Sequence, residues 1–340
     1  MNGSNIQRPE KMIVDFMMRR PGACAKDSTC CPVIVSTADD NYALPLTVML
    51  RSLADNLEWT LRVHVYVLDC GISALNKRRI LKSLPAVVMR IHFIPVPMNR
   101  LGGLKEFGWF SRSIYARLLL AELLPARIHR VVYIDADTLV LRDIGELWEL
   151  DLGGKVLGAV LDPMYEREGT VSLVPEADFW GMNAQTPYFN NGLMVIDLDL
   201  WKSKNTGERT LGLLQDHPDR IHWAEQEAMN IMLKGEFHII GPAWNVSWLF
   251  YDLPAGTFVG EDGERRKQTY RNPRMIHFWG PNKPWLRPGP AYGADRFFAY
   301  LHRTAWRNSV PFAPWKNDPL RKRFRRWLRV WKARILGWRM

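Results

Sequence analysis

Short runs of apolar, β-branched residues alternate along this chain with segments of helical periodicity, and no other feature constrains the fold as much. The run "VIVST" gives a strand over 33–37, and "ALPLTVMLRSLAD" gives a helix over 43–55. A second strand falls near 62–68, a helix over 73–83 and a third strand near 89–94. The segment "SRSIYARLLLAELLP" reads as a helix capped by Ser111 and stopped by Pro125, leading into a strand over 131–134. Another strand ends near Asp162, an irregular stretch runs to about 187, and a strand occupies 193–198. Helices follow over 200–215 and 224–233, then Gly- and Pro-rich loops to 274, and "RMIHFWGPNKPWL" closes the folded body. Strands that are apolar throughout need cover on both faces, as in a parallel sheet flanked by helices. The expected fold is therefore α/β with a mostly parallel central sheet.

With 340 residues, 47% of them hydrophobic, the chain can build a large core. Residues 1–31 read as a loosely ordered lead-in, 32–290 as the folded body and 291–340 as an extension. The N-terminal segment lacks the apolar stretch of a signal peptide, and no apolar run reaches transmembrane length, so a cytoplasmic protein is expected. Cys24, Cys30, Cys31 and Cys70 match neither a disulfide framework nor a zinc pattern, and reduced thiols are expected. Of the formal charge of +11, nine lysines and arginines without an acid lie in 321–340; +11 less 9 leaves +2 on the other 320 residues. So local an excess argues against a nucleic-acid-binding surface. The glycine signatures of dinucleotide-binding folds and phosphate loops are both missing.

The chemistry gathers at the strand ends. In "YIDAD", Asp135 and Asp137 follow an apolar strand and point to one side, with Ala136 keeping the gap narrow. Two close carboxylates repel unless a cation or proton lies between them. They can hold Mg2+ or Mn2+ through oxygen, or serve as surface aspartates capping the next element. Asp39, Asp40 and Asn41 also follow a strand; they can bind a base or sugar hydroxyl, or form a capped turn. In "MIHFWGPNKPW", His277 can complete a metal shell or be a structural histidine, Gly280 allows close backbone approach and Lys283 offers charge to phosphate. Asn190 and Asn191 suit a polyhydroxylated substrate or a tight turn, and Glu225, Gln226 and Glu227 open a helix where acids favour the dipole.

Taken in order, "ADDNY", "YARL", "YIDAD", "FNNG", "EQEAMN" and "HFWGPNKPW" over 33–286 resemble glycosyltransferase family 8, in particular its bacterial lipopolysaccharide galactosyl- and glucosyltransferases. The resemblance implies a GT-A fold, a UDP-sugar donor, Mn2+ (with Mg2+ as an alternative) and retention at the anomeric carbon. It implies Asp135, Asp137 and His277 as metal ligands, and Gly280 and Lys283 on the phosphates. It further implies Asp39 and Asn41 on uridine or ribose, Arg117 on donor sugar or phosphate, and Ala136 in the donor contact. Asp162, Asn190, Glu225 and Gln226 would surround the transferred sugar. Matching relatives carry aspartate where this chain has Glu225, and the extra methylene bears on sugar-hydroxyl recognition.

The activity expected is hexosyl transfer, with galactose preferred over glucose, to lipopolysaccharide or another lipid-linked saccharide. A metal-dependent nucleotidyl- or phosphotransferase and a non-catalytic sugar-nucleotide-binding protein are the rival readings. Retention by attack from the leaving-group face, with Gln226 stabilising the sugar cation, is favoured over a covalent intermediate because an amide oxygen is a poor nucleophile. In 320–338, Leu320, Phe324, Trp327, Leu328, Trp331, Ile335 and Trp338 recur at helical spacing beside dense positive charge. A basic amphipathic helix of this kind suits an anionic membrane surface, which places the protein peripherally on the inner face of the cytoplasmic membrane.

Overall fold

Strand β1 (Val33–Ala38) is buried along its whole length, and its alternate side chains serve two different cores. Val33 and Val35 join one cluster with Tyr66, Val131 and Tyr133; Ile34 joins the other with Val65, Val67, Val132 and Ile134. A strand apolar on both faces is thus covered on both faces, each fully buried side chain contributing about 1.5–3 kcal/mol. The computed structural model describes residues 31–57, 62–106, 111–170, 173–247, 268–280, 283–286 and 292–309. The lead-in up to residue 30 and the basic helix expected over 320–338 lie outside the described residues.

The remaining elements are α1 (Ala43–Asp55), β2 (Val63–Asp69), α2 (Ala74–Ser83), β3 (Met89–Pro95), α3 (Leu120–Leu123), β4 (Arg130–Ile134), β5 (Thr138–Val140), α4 (Gly145–Trp148), β6 (Leu157–Leu161) and α5 (Pro163–Glu168). They are followed by β7 (Phe189–Asp197), α6 (Leu198–Ser203), α7 (Thr206–Asp216), α8 (Ala224–Leu233), β8 (His238–Ile240), β9 (Val246–Ser247), β10 (Met275–His277) and α9 (Ala294–Leu301). Seven strands form one sheet in the order β3-β2-β1-β4-β7-β6-β8, and β5-β10-β9 form a second, small sheet. The large sheet is parallel except for β7, which pairs antiparallel with both β4 and β6. This is the Rossmann-like α/β arrangement expected, and among the described residues no helix is long and apolar enough to cross a membrane.

Several local features differ from the sequence reading. The strand expected over 193–198 starts at Phe189, and the helix expected over 200–215 is split in two at Asn205, which takes a left-handed backbone (φ 51°). The helix expected from Ser111 is 3-10 over Arg112–Leu119, where Arg117 Nε donates to the Ile114 carbonyl (3.1 Å) and so draws on a group an α-helix would use. Cys31 is disulfide-bonded, correcting the expectation that all four cysteines are reduced, whereas Cys70 is free. The chain after residue 291 is folded onto the body as far as Ser309: Asn56 Nδ2 donates to Tyr300 Oη (2.7 Å) and the Ala305 amide donates to Ser83 Oγ (2.9 Å).

Candidate active site

After Ile134 the chain leaves the large sheet for the small one, and the two aspartates occupy that passage. The Asp135 amide donates to the Gly192 carbonyl (2.9 Å), extending the β4–β7 ladder by one step. Beyond Asp137, β5 pairs antiparallel with β10, setting His277 opposite Thr138, and the Phe278 amide donates to the Asp137 carbonyl (2.9 Å). This pairing brings a histidine far along the chain to the aspartates. Its Nε2 lies 3.2 Å from Asp137 Oδ1 and 3.8 Å from Asp135 Oδ2. Asp135, Asp137 and His277 each offer one ligand atom, all within 4.8 Å of one another.

Two permanent cations flank the trio. Arg117 Nη2 donates to Asp135 Oδ1 (2.7 Å) and Nη1 to the Asn191 carbonyl (3.0 Å), while the guanidinium lies over the Tyr133 ring (4.6 Å). Lys283 Nζ donates to Asp137 Oδ2 and to the Phe278 carbonyl (2.9 Å). Gly280, at φ 80°, takes the left-handed conformation that favours glycine. Burial disfavours ionisation of Asp137, but the Lys283 ammonium beside it outweighs burial and holds the carboxyl below its usual range.

A second group of polar side chains adjoins the first through β7. Its register against β6 shifts between Ala159 and Val160, so that Asn191, Gly192 and Leu193 form a bulge. Asp162 caps α5, accepting from the Met164 amide (2.9 Å), and its other oxygen accepts from Asn190 Nδ2 and Gln226 Nε2 (both 3.2 Å). Gln226 Oε1 accepts from the Asn191 amide (3.2 Å), and Glu225 Oε1 accepts from Asn191 Nδ2 (3.0 Å) with Arg117 Nε 3.5 Å away. Burial raises the pKa of both Asp162 and Glu225. One connected network therefore holds four carboxylates (Asp135, Asp137, Asp162 and Glu225) and two permanent cations (Arg117 and Lys283). With all four ionised, a divalent cation would close the balance. Two carboxylates and an imidazole form a donor set that suits Mn2+ or Mg2+.

Asp39 plays the capping part left open by the sequence: Oδ1 accepts from the Tyr42 amide (3.1 Å) and Oδ2 from Ser111 Oγ (3.1 Å). Asn41 is exposed and, among the described residues, has no hydrogen bond to this network. Ala136 is buried between the aspartates.

The sequence profile of glycosyl transferase family 8 matches residues 33–289. The chain belongs to this family. General stress protein A of Bacillus subtilis is 32% identical over 281 residues, 80% of this chain and 94% of that protein. The lipopolysaccharide 1,2-glucosyltransferase of Escherichia coli K12 is 27% identical, across 85% of this chain and 80% of its own length. The crystal structure of the galactosyltransferase LgtC with donor and acceptor sugar analogs superposes with a TM-score of 0.69 at 29% identity, covering 81% of this chain and 99% of that one. The protein is thus a glycosyltransferase, moving a sugar from a nucleotide-sugar donor to an acceptor.

Two residues of this family 8 site escaped the sequence reading. Tyr42 lies against Lys283 (5.7 Å from Nζ to the ring), and its hydroxyl pKa is raised by burial and by Asp137. Asn245 Oδ1 lies 2.9 Å from His277 Nδ1 and its Nδ2 donates to Asn190 Oδ1 (2.8 Å), tying the two polar groups together. Tyr42 falls within "ADDNY", but its position there assigns it no role. Asn245 sits in a stretch read only as loop, with no signal in its spacing.

Proposed function

We propose that this glycosyltransferase is a retaining UDP-hexosyltransferase, using galactose in preference to glucose and acting on lipopolysaccharide or another lipid-linked saccharide at the inner membrane face. One observation carries the donor reading: Asp135, Asp137 and His277 converge within 4.8 Å at the strand ends, with Lys283 beside them. The galactosyltransferase LgtC and the lipopolysaccharide 1,2-glucosyltransferase support hexose transfer and the acceptor class.

Asp135, Asp137 and His277 would hold Mn2+, or Mg2+, which when bound supplies Lewis-acid neutralisation of the diphosphate. Lys283 is buried and ammonium-bearing, suited to meet a phosphate oxygen once one is present. Arg117 keeps Asp135 oriented from behind, and Gly280 admits the diphosphate close to the backbone. Asp39 and Asn41 would meet uridine or its ribose, while Asp162 and Glu225 would accept from sugar hydroxyls and Asn190 would accept from or donate to them.

During transfer the bond from the anomeric carbon to the UDP oxygen breaks, and a bond to the acceptor oxygen forms on the same face. The acceptor proton passes to a phosphate oxygen of the departing UDP. Gln226 is held by the Asn191 amide at Oε1 and by Asp162 at Nε2. A clamped amide oxygen can face a developing sugar cation but is a weak nucleophile, which supports attack from the leaving-group face. The test is incubation with UDP-galactose, UDP-glucose and rough lipopolysaccharide fractions in Mn2+, measuring UDP release and the anomeric configuration of the product. A nucleotidylated or phosphorylated product, or an inverted linkage, would defeat this reading.

A further inference from the structure

We infer that Asn245 is a positioning residue that dictates which nitrogen of His277 faces the two aspartates. The inference rests on the proposed metal role of Asp135, Asp137 and His277, and it begins from a backbone group whose polarity is fixed. The Gly192 amide donates to Asn190 Oδ1 (3.0 Å), so that atom is the acceptor end of the Asn190 amide, and its Nδ2 donates to Asp162 Oδ2 (3.2 Å). The atom of Asn245 lying 2.8 Å from the same Asn190 oxygen must then be its Nδ2 donor. What remains to face His277 Nδ1, at 2.9 Å, is Asn245 Oδ1, an acceptor. His277 must therefore carry hydrogen on Nδ1.

A neutral ring with hydrogen on Nδ1 has only a lone pair on Nε2, and Nε2 is the atom 3.2 Å from Asp137 Oδ1. A lone pair against a carboxylate is repulsive until a cation lies between them. The competing tautomer would place hydrogen on Nε2 and donate it to Asp137, closing the site to metal. Asn245 disfavours that state, because it would leave a ring lone pair facing the Asn245 oxygen. The ring also has little room to escape. A Cβ at Gly192 would stand 2.2 Å from His277 Cε1 and 2.6 Å from Nδ1, so the bare glycine backbone is the floor on which the imidazole rests. The glycine of "FNNG" and an asparagine in a loop thus act together on one metal-facing nitrogen.

The test compares Mn2+ binding in the presence of UDP, by calorimetry, for the full-length wild type, Asn245→Leu and Asn245→Asp. Leucine keeps the volume without the acceptor, and aspartate keeps the acceptor. Asn245→Leu is expected to lose roughly 10–100-fold in Mn2+ affinity, and Asn245→Asp to retain it. Equal affinity in wild type and Asn245→Leu would overturn the inference, as would equal losses in both variants. Failure of the wild type to bind Mn2+ would instead defeat the metal reading beneath it. A measurement free of any folding defect uses 15N-histidine NMR on the wild type loaded with Mg2+ and UDP. His277 should carry its proton on Nδ1 and none on Nε2; a proton on Nε2 would overturn the assignment.

Discussion

Asp137 is held by Lys283 on one oxygen and faces His277 with the other, with almost no exposure to solvent. On the proposed assignment it is the carboxylate whose loss no neighbour can replace. Asp137→Ala should lower sugar transfer by roughly 10²–10³-fold or more while leaving the far-UV circular dichroism unchanged. Chelator should abolish wild-type UDP release, and added Mn2+ should restore it in the wild type but not in the variant. Glu225 tests recognition rather than metal. Shortening it with Glu225→Asp draws the carboxylate away from Asn191 and Arg117, and the ratio of UDP-galactose to UDP-glucose turnover should change by about tenfold or more. An unchanged ratio would remove Glu225 from the recognition shell. Gly192→Ala should force His277 aside and lower stability by about 1–3 kcal/mol, read from the urea midpoint.

The start of α8 carries both a strain and its restraint. Ala224 has a left-handed backbone (φ 53°), and Glu227, fully buried, reaches back so that one oxygen accepts from the His222 amide (2.6 Å) and the Trp223 amide (2.7 Å). Its other oxygen has no hydrogen-bond partner among the described residues, and burial raises the pKa of the carboxyl above its usual range. A raised folded pKa means that the folded state holds its proton to higher pH than the unfolded chain does. Stability is therefore lost as pH rises from about 4.3, the unfolded value, through the folded one. Glu227→Gln removes that charge while keeping an acceptor for the two amides. The stability of Glu227→Gln relative to wild type should rise between pH 4 and pH 7 in urea titrations, and a constant difference would show that Glu227 titrates normally.

Elements like these show what the sequence could and could not disclose. The strand over 131–134 and the helix over 43–55 were legible because apolar runs and helical spacing report burial directly. The direction of β7 was not, since a fully buried strand reads the same whichever way its neighbours run. Asp135, Asp137 and His277 were noticed because carboxylates and imidazole after apolar runs are chemically conspicuous. Asn245 was passed over because a loop asparagine looks like any turn residue until the small sheet sets it beside His277.

At the scale of the molecule, the last described contacts lie in α9 and the turns after it, where Asn56 meets Tyr300 and Ser83 meets Ala305. Removing residues 317–340 spares those contacts and deletes Trp327, Trp331, Trp338 and all nine lysines and arginines of 321–340. The truncated protein should retain transfer to a small soluble acceptor yet no longer sediment with vesicles containing anionic lipid. High salt should weaken the binding of the full chain without abolishing it, because screening spares the aromatic area. Undiminished vesicle binding by the truncated protein would exclude the tail as the anchor.

The pairing of β5 with β10 also sets a timetable. Every strand of the large sheet has been synthesised once Ile240 is made, yet β10, with His277, comes only later and Lys283 later still. At ribosomal rates of about 5–20 residues per second, the interval from Ile240 to His277 lasts roughly 2–8 s. During it the chain has every strand of the large sheet, Asp135, Asp137 and Arg117, but neither His277 nor Lys283. A polypeptide ending at Ile240 would thus contain every strand of the large sheet and yet, on the proposed assignment, lack one of the three groups that face the metal.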